Sequence, residues 1–200
     1  MTSEPIRDPQ HDHLLTPENS ALVIIDYQPV QLGSIRSMDR DVLVANIVRV
    51  ARTASLYRLP IVLSTVNVKT GVNQPTIDRL LQVLPRIEPI DRTTMNSWED
   101  VAFRDAVLAT GRKKLIVTAL WTEVCLAFPA LDAMRDGFET YPVVDAVGGT
   151  SREAHRAAID RLTQAGAKPL SWVQMLCELQ RDWARTDTAA EFADILFHST

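Results

Sequence analysis

Cys125 has the sequence surroundings of a nucleophile. An apolar run over residues 115–120 predicts a buried strand, and Thr122 follows it as the expected N-cap of a helix. The thiol would then lie in the first helical turn, where unpaired amides and the positive end of the helix dipole favour a thiolate and lower the thiol pKa. The alternative is a buried structural cysteine that packs as a small apolar group, and position alone does not decide between the two.

Asp26 is the candidate for the base that such a thiol needs. A thiol that attacks a carbonyl requires a base within hydrogen-bonding reach, and it requires donors aimed at the developing oxyanion. Asp26 directly follows the apolar run of residues 21–25, so its carboxylate would lie at the end of a strand that neighbours the one leading to Cys125. The alternative is an aspartate that only caps the loop after this strand.

Alternating strands and helices would bring these two residues together. Apolar runs predict strands, and apolar residues at helical spacing predict helices between them. Thr150 and Glu153 form a capping box that predicts the start of the helix over residues 150–162. We therefore predict a three-layer α/β/α fold with a mainly parallel central sheet of Rossmann-like topology, since parallel neighbours need right-handed crossovers. Ligands of such sheets bind at the carboxyl ends of the strands. The predicted strands cover residues 21–25, 61–63, 87–90, 115–120 and 141–144, and the longer helices residues 41–58, 97–110, 122–135 and 150–162.

Composition limits the class of protein. The chain has 200 residues and is 46% hydrophobic, which suffices for one sizeable core. We expect an irregular arm over residues 1–18 and one domain, including terminal helices, over residues 19–200. The net charge of -4 comes without a basic patch, so no nucleic-acid partner is expected. No apolar run approaches the roughly 18 residues of a membrane span and no signal peptide is visible, which predicts a cytoplasmic protein without a membrane partner.

Two motifs carry a resemblance to a known family. Residues 24–28, Ile-Ile-Asp-Tyr-Gln, resemble the first-strand motif of the isochorismatase-like cysteine hydrolases, and residues 118–125, Thr-Ala-Leu-Trp-Thr-Glu-Val-Cys, resemble their nucleophile motif. Residues 122–130 and 177–183 are similar to the YcaC-like subgroup of that family. The resemblance extends from Ser20 to about Thr188.

The resemblance implies a catalytic triad of Asp26, Arg92 and Cys125, which would cleave an amide-type C–N bond through a covalent thioester. Asp26 and Cys125 match the family pattern directly, whereas Arg92 stands where the family has lysine, a departure that also resembles the YcaC-like branch. Arginine keeps the positive charge that would stabilise a thiolate and orient Asp26, but its planar fork is wider than an ammonium group.

The resemblance also implies an oxyanion hole made of backbone. A cis peptide bond between Leu120 and Trp121 would turn the amides of Trp121 and Cys125 toward the substrate oxygen. Core packing is the alternative role for the aromatic pocket candidates, and it is the expected role of Phe128, which would lie on the helix face toward the sheet. The candidates to line the substrate pocket are Gln28, Trp98, Trp121 and Phe128.

No metal or other cofactor is expected. Nicotinamidases of this superfamily bind a metal through an Asp-x-His motif after the second strand, whereas residues 64–69 of this chain, Ser-Thr-Val-Asn-Val-Lys, contain no histidine. The four histidines are scattered over the arm, a helix and the tail: His11, His13, His155 and His198.

The leading hypothesis is therefore a cysteine hydrolase for a small-molecule substrate with an amide, imide or carbamoyl-type C–N bond. One alternative is a catalytically weak, oligomeric binding or scaffold member of the fold. A further alternative is an isochorismatase-type hydrolase of a vinyl ether, a reaction that has no use for the thiol of Cys125. The resemblance also implies a homo-oligomer, which in the YcaC-like proteins is an octamer.

Overall fold

The computed structural model describes residues 7–198, and its centre is a five-stranded parallel sheet. The order across the sheet is β3-β2-β1-β4-β5, so β1 is central and has β2 and β4 as its two neighbours. This arrangement confirms the predicted α/β class. The strands are β1 (Ser20–Ile25), β2 (Ile61–Val66), β3 (Ile90–Arg92), β4 (Lys114–Ala119) and β5 (Glu139–Pro142).

Helices cover both faces of the sheet and give three layers. One face carries the core that includes residues of α2, α3, α7 and α8, and the other carries the core that includes residues of α4, α5 and α6. The helices are α1 (Pro29–Ser34), α2 (Arg40–Leu56), α3 (Asp78–Val83), α4 (Val101–Ala109), α5 (Ala127–Arg135), α6 (Arg152–Gln164), α7 (Trp172–Gln180) and α8 (Thr186–Phe197).

The central strand β1 explains why its sequence is apolar without alternation. Leu22 and Ile24 belong to one core, while Val23 and Ile25 belong to the core on the opposite face. A strand that is covered on both sides has no solvent-facing position, and all six residues of β1 are buried.

The start of α6 differs from the prediction. Ser151 is its N-cap, since its hydroxyl accepts the backbone N–H of Ala154 at 3.0 Å. Thr150, the expected cap, instead donates its hydroxyl to Glu123 at 2.6 Å. The predicted capping box is therefore wrong, because a tertiary contact takes the hydroxyl that it required.

The described part of the N-terminal arm packs on the amino end of the sheet. Lys114, the first residue of β4, is buried, and its ammonium donates to the carbonyls of Asp12 at 2.6 Å and Leu14 at 3.0 Å. Arg181 adds an ion pair with the Asp12 carboxylate at 3.0 Å. Residues 1–6 of the predicted arm lie outside the described residues. Within residues 7–198, no helix is both long and apolar enough to cross a membrane.

Candidate active site

Three strands deliver the three predicted triad residues to the carboxyl edge of the sheet. Asp26 directly follows β1, Arg92 is the last residue of β3, and Cys125 lies in the turn after β4. Parallel strands end at the same edge, and β1 lies next to β4. The structure therefore brings Asp26, Arg92 and Cys125 together, as their sequence positions suggested.

Asp26 and Arg92 form a two-bond ion pair. Nη1 of Arg92 donates to Oδ1 of Asp26 at 2.7 Å and Nη2 donates to Oδ2 at 2.8 Å, and neither side chain is exposed. Burial by itself would lower the pKa of Arg92, but the hydrogen bonds and the charge of Asp26 outweigh it and raise this pKa. Both groups are therefore held as a fixed ion pair, with the planar fork of arginine matched to the carboxylate.

The backbone of Asp26 and the side chain of Ser64 complete this pairing. Asp26 has a positive φ of 61°, a conformation that few residues other than glycine adopt, and its N–H donates to the Ser64 carbonyl at 3.0 Å. The Ser64 hydroxyl accepts from Nη1 of Arg92 at 3.1 Å. We did not predict a role for Ser64, although a polar residue near the carboxyl end of β2 was a visible signal.

Cys125 is a protonated thiol in this environment. It is 7% exposed, and burial raises the pKa of its thiol to about 12, with further increases from the charge of Asp26 and a hydrogen bond to it. A hydrogen bond from the backbone amide of Trp121 and the charge of Arg92 act in the opposite direction. The expected lowering of this thiol pKa is therefore wrong for the resting site.

The local backbone explains part of that outcome. Residues Thr122–Leu126 form a π-helical turn and the α-helix begins only at Ala127, so Cys125 does not lie in the first turn of an α-helix. The carbonyl of Trp121 accepts the backbone N–H of Leu126 at 3.1 Å, and the Leu120–Trp121 peptide bond is cis. The dipole argument drawn from the sequence thus assumed a regular helix start that the chain does not have.

Two of the pocket candidates are tied to neighbouring segments. Trp121 is partly buried, and its Nε1 donates to the Ser34 hydroxyl of α1 at 2.5 Å. Gln28 is fully buried, with its amide oxygen accepting from the N–H of Val66 and its amide nitrogen donating to the carbonyls of Val66 and Gln74. Gln28 thereby fixes the loop after β2, and its polar atoms are engaged by backbone.

The other two pocket candidates lie in contrasting environments. Trp98 is buried, packs edge-on against Phe103 and Phe138, and donates its Nε1 to Asp136 at 2.8 Å, so it contributes to the core. Phe128 is 37% exposed at the start of α5. The expectation that Phe128 packs in the core is therefore wrong, and core packing applies to Trp98.

Asp91 has a structural role beside the site. It accepts the backbone N–H groups of Val68 at 3.0 Å and Lys69 at 2.8 Å and the hydroxyl of Thr65 at 2.9 Å. Asp91 thus shapes the loop after β2, while its neighbour Arg92 serves the site. Among residues 7–198, no three side chains of His, Cys, Asp or Glu are grouped as a metal site would require.

A parallel α/β sheet with an aspartate, a cation and a cysteine at its carboxyl edge is the arrangement expected of the isochorismatase-like cysteine hydrolases. Residues 20–174 match the family model described as the isochorismatase domain, and the chain belongs to this family of hydrolases. It is 37% identical to the probable hydrolase YcaC of Escherichia coli strain K12 over 170 residues, which are 84% of this chain and 81% of that protein. The resemblance inferred from the two motifs is thereby confirmed.

Two solved structures support the same assignment. YcaC from Pseudomonas aeruginosa, solved with hexane-2,5-diol and covalent acrylamide, has a TM-score of 0.86 and 34% identity over 92% of this chain and 90% of that one. The YcaC gene product of Escherichia coli, described as an octameric hydrolase of unknown specificity, has a TM-score of 0.83 and 30% identity over 98% of both chains.

Proposed function

We propose that this protein is a cysteine hydrolase that cleaves the C–N bond of a small amide, imide or carbamoyl-type substrate through a thioester on Cys125. The observation that carries the proposal is a buried thiol beside Asp26, close enough for the charge of that carboxylate to raise the thiol pKa, with the carboxylate held by two hydrogen bonds from Arg92. A nucleophile, a base and a group that orients the base are the parts that acyl transfer requires.

The charge balance of the site supports a thiol at rest. Asp26 and Arg92 neutralise each other, so a thiolate at Cys125 would add an uncompensated negative charge to a dry environment, which is unfavourable. Transfer of the thiol proton to Asp26 during attack avoids that state. Asp26 is therefore the general base, and Arg92 is the cation that fixes its orientation and balances its charge.

Acylation follows from this arrangement. The sulfur of Cys125 forms a bond to the substrate carbonyl carbon while its proton passes to Asp26, and the carbonyl oxygen becomes an oxyanion. The backbone amide of Trp121, which reaches the sulfur, is positioned to donate to that oxyanion. The C–N bond then breaks as the nitrogen leaves with the proton from Asp26, and the acyl group remains on sulfur as a thioester.

In deacylation, water is the nucleophile and the sulfur of Cys125 is the leaving group. Water attacks the thioester carbon and gives one proton to Asp26, which produces a second oxyanion at the same donors. Collapse breaks the C–S bond, and Asp26 returns the proton to the sulfur of Cys125. The products are a carboxylic acid, or a carbamic acid for a carbamoyl substrate, together with an amine or ammonia, or with an amide group when the substrate is an imide. The site is then restored.

A relative with a reacted site adds support. The Pseudomonas aeruginosa YcaC structure contains covalent acrylamide, a small electrophile with an amide group. Covalent attachment of an electrophile to a protein of this fold is the behaviour expected of a nucleophilic group, which in this chain we assign to the thiol of Cys125.

One observation favours a second candidate function, a catalytically weak binding or scaffold member of the fold. The pKa of the Cys125 thiol is raised to about 12, and both terminal nitrogens of Arg92 are bonded to Asp26. If Asp26 did not take the thiol proton, the site would be inert at neutral pH.

We further propose a cytoplasmic homo-oligomer, with residues 19–200 as its domain and residues 1–18 as its arm. The octameric state of the Escherichia coli relative supports an octamer. Exposed apolar side chains such as Val72 and Met95, at 77% and 76% exposure, supply surface that an assembly could bury. Light scattering on the eluting peak of a size-exclusion column measures the subunit count directly.

The experiment that tests the proposed function is detection of the acyl-enzyme. The protein is mixed with acetamide, succinimide or N-carbamoylglycine, quenched in acid within the first turnover, and measured by intact and peptide mass spectrometry. We expect the acyl mass on Cys125 together with release of the carboxylic or carbamic acid product, and neither in Cys125→Ser. The matched control Cys177→Ser changes the exposed second thiol and is expected to retain both signals.

The opposite result has an equally definite meaning. If none of the three substrates acylates Cys125 or is hydrolysed, and acrylamide modifies Cys125 no faster than Cys177, the thiol has no base and the binding or scaffold function takes its place.

A further inference from the structure

A polar cluster lies on the side of the nucleophile turn that faces α6, outside the triad. Thr122, the first residue of the turn, is fully buried, and its hydroxyl lies 2.9 Å from Nδ1 of His155 on α6. The backbone N–H of Thr122 donates to the carbonyl of Gly148 at 2.9 Å. The turn that carries Cys125 is thus fixed at its first residue from two directions.

The next residue of the turn is fixed to the same segment. One carboxylate oxygen of Glu123 accepts both the backbone N–H of Thr150 at 2.9 Å and its hydroxyl at 2.6 Å. Residues 148–150 are therefore bonded to the nucleophile turn at two successive positions, and they lead directly into α6 and His155.

Gly149 shows how closely these parts approach. A Cβ atom at this position would lie 2.5 Å from Oε2 of Glu123 and 3.0 Å from Cβ of His155. Even a methyl group here would require the Glu123 side chain to move and α6 to give way by a few tenths of an ångström, so the nucleophile turn and α6 are closely packed at this point.

We propose that His155 is a positioning residue of the nucleophile turn, acting on Cys125 through its hydrogen bond to Thr122. This inference rests on the proposed function. The peptide between Trp121 and Thr122 lies directly beside the Trp121 amide that hydrogen-bonds the Cys125 sulfur. A shift of Thr122 toward α6 would move that amide away from the sulfur and from the site of the oxyanion.

The tautomer of His155 sets the direction of this bond. In a neutral imidazole with its proton on Nε2, Nδ1 accepts the hydroxyl proton of Thr122. The Thr122 hydroxyl has no exposed surface, so without His155 it would have to find another acceptor or remain unpaired. Movement of the turn toward another partner would relieve this loss, and the turn is the part of the site that must stay in register with Asp26.

The test compares the rate at which acrylamide modifies Cys125 and Cys177, measured by peptide mass spectrometry on the assembled protein. We expect His155→Ala and Thr122→Val each to slow the modification of Cys125 by about tenfold or more, because small displacements of a reacting group have effects of this order. Cys177 is expected to be unchanged. The double variant is expected to be no slower than either single variant, since both remove the same bond.

Conservative variants separate positioning from general damage. His155→Asn offers a polar atom near the place of Nδ1, and Thr122→Ser keeps the hydroxyl, so each should remain within about threefold of the parent rate. Arg156→Ala changes the exposed neighbour on α6 and is expected to leave the rate unaltered. If His155→Ala lowers the melting temperature but leaves the Cys125 rate equal to that of the parent, His155 is a structural residue and the inference is overturned.

The outcome also distinguishes this inference from the proposed function. Suppose that Cys125 of the parent reacts faster than Cys177 and that Asp26→Asn slows this reaction. The proposed hydrolase function then stands, even if the His155 variants react at the parent rate. A parent protein whose Cys125 reacts no faster than Cys177 overturns both.

Discussion

Arg92 and Asp26 meet through two nearly equal hydrogen bonds, 2.7 and 2.8 Å long, with no exposed surface on either side chain. The pair has no net charge, so it can be buried at the edge of the sheet, whereas either partner alone would leave an uncompensated charge. Arg92 reaches this position as the last residue of β3, with β2 between it and the strand that leads to Asp26. The pair therefore joins the edge strand to the centre of the site.

Removal of the cation should destabilise the fold as well as the site. We expect Arg92→Met to cost about 3–5 kcal/mol of unfolding free energy, the typical effect of leaving a buried charge unpaired. Arg92→Lys keeps the charge but loses one of the paired bonds, and should cost less, about 1–2 kcal/mol. Urea unfolding at constant protein concentration measures both. An Arg92→Met protein as stable as the exposed-site control Arg156→Met would contradict the prediction.

The raised thiol pKa predicts an unusual pH dependence for the reaction of Cys125. With its pKa at about 12, the thiol has almost no thiolate at neutral pH, so its reaction with acrylamide depends on proton transfer to Asp26. The parent rate should be nearly flat around neutral pH. In Asp26→Asn only the thiolate reacts, so the rate should be lower and rise about tenfold per pH unit.

Asp26→Asn should also lower the pKa of the Cys125 thiol, an effect that by itself favours reaction. Loss of the Asp26 charge removes one cause of the raised pKa, so the pKa of Cys125 should fall toward its ordinary value in Asp26→Asn. Thiolate absorbance in the ultraviolet follows this titration, with Cys125→Ser as the blank. Equal pH profiles in the parent and in Asp26→Asn would refute the role of Asp26 as base.

The close approach at Gly149 predicts a specific sensitivity to a single methyl group. Gly149→Ala should cost about 1–3 kcal/mol, because its Cβ meets Glu123 at 2.5 Å and backbone on α6 must shift. Gly149→Ala should also slow the modification of Cys125 by acrylamide. Gly33→Ala is the matched control, since no atom lies within 4 Å of its Cβ and it sits in α1, where alanine is favoured. Equal stability of the two variants would count against the tight packing.

The buried ammonium of Lys114 predicts the behaviour of the arm. Lys114→Met removes the charged donor of the Asp12 and Leu14 carbonyls and leaves them only the side-chain amide of Asn19, which should cost about 1–3 kcal/mol and loosen residues 7–19. Hydrogen exchange and limited proteolysis of these residues report the change. Lys113→Met, at the exposed neighbouring position, should leave the arm protected. An arm that stays equally protected in both variants would show that Lys114 does not hold it.

The parts that could be predicted from the sequence were those with a strong local signal. The strands β1 and β4 are uninterrupted apolar runs, and Asp26 and Cys125 follow them within recognisable motifs. The family assignment and the parallel sheet rest on these signals. The position of Arg92 just after the predicted strand 87–90 marked it as informative, but its role in the triad came from its match to a family position, because β3 is only three residues long.

The remaining features depend on tertiary contacts that no local pattern encodes. The π-helical turn Thr122–Leu126 adds a residue to the helical count, and each added residue rotates the following helix by about 100°. An α-helical count from Thr122 therefore assigns Phe128 to the wrong face. The raised pKa of Cys125 likewise arises from burial beside Asp26, and His155 reaches Thr122 from a separate helix.

The partly buried His155 predicts how the stability of this region changes with pH. Burial lowers the pKa of His155 from its ordinary value of 6.5, while the nearby charge of Glu123 acts in the opposite direction. The unfolded chain therefore takes up a proton at higher pH than the folded protein does. The stability that comes from the neutral ring is fully present above pH 6.5 and is lost as the pH falls through the folded pKa.

We accordingly expect the parent to lose unfolding free energy relative to His155→Asn between about pH 7 and pH 5, since asparagine does not titrate. In the tautomer with its proton on Nε2, protonation turns Nδ1 from an acceptor into a donor. The Thr122 hydroxyl must then find a new acceptor, and the rate at which acrylamide modifies Cys125 should fall over the same pH range. NMR titration of the ring gives the midpoint, and urea unfolding at the two pH values gives the stability difference. A midpoint at or above 6.5 would show that the ring is not desolvated and that its bond to Thr122 survives protonation.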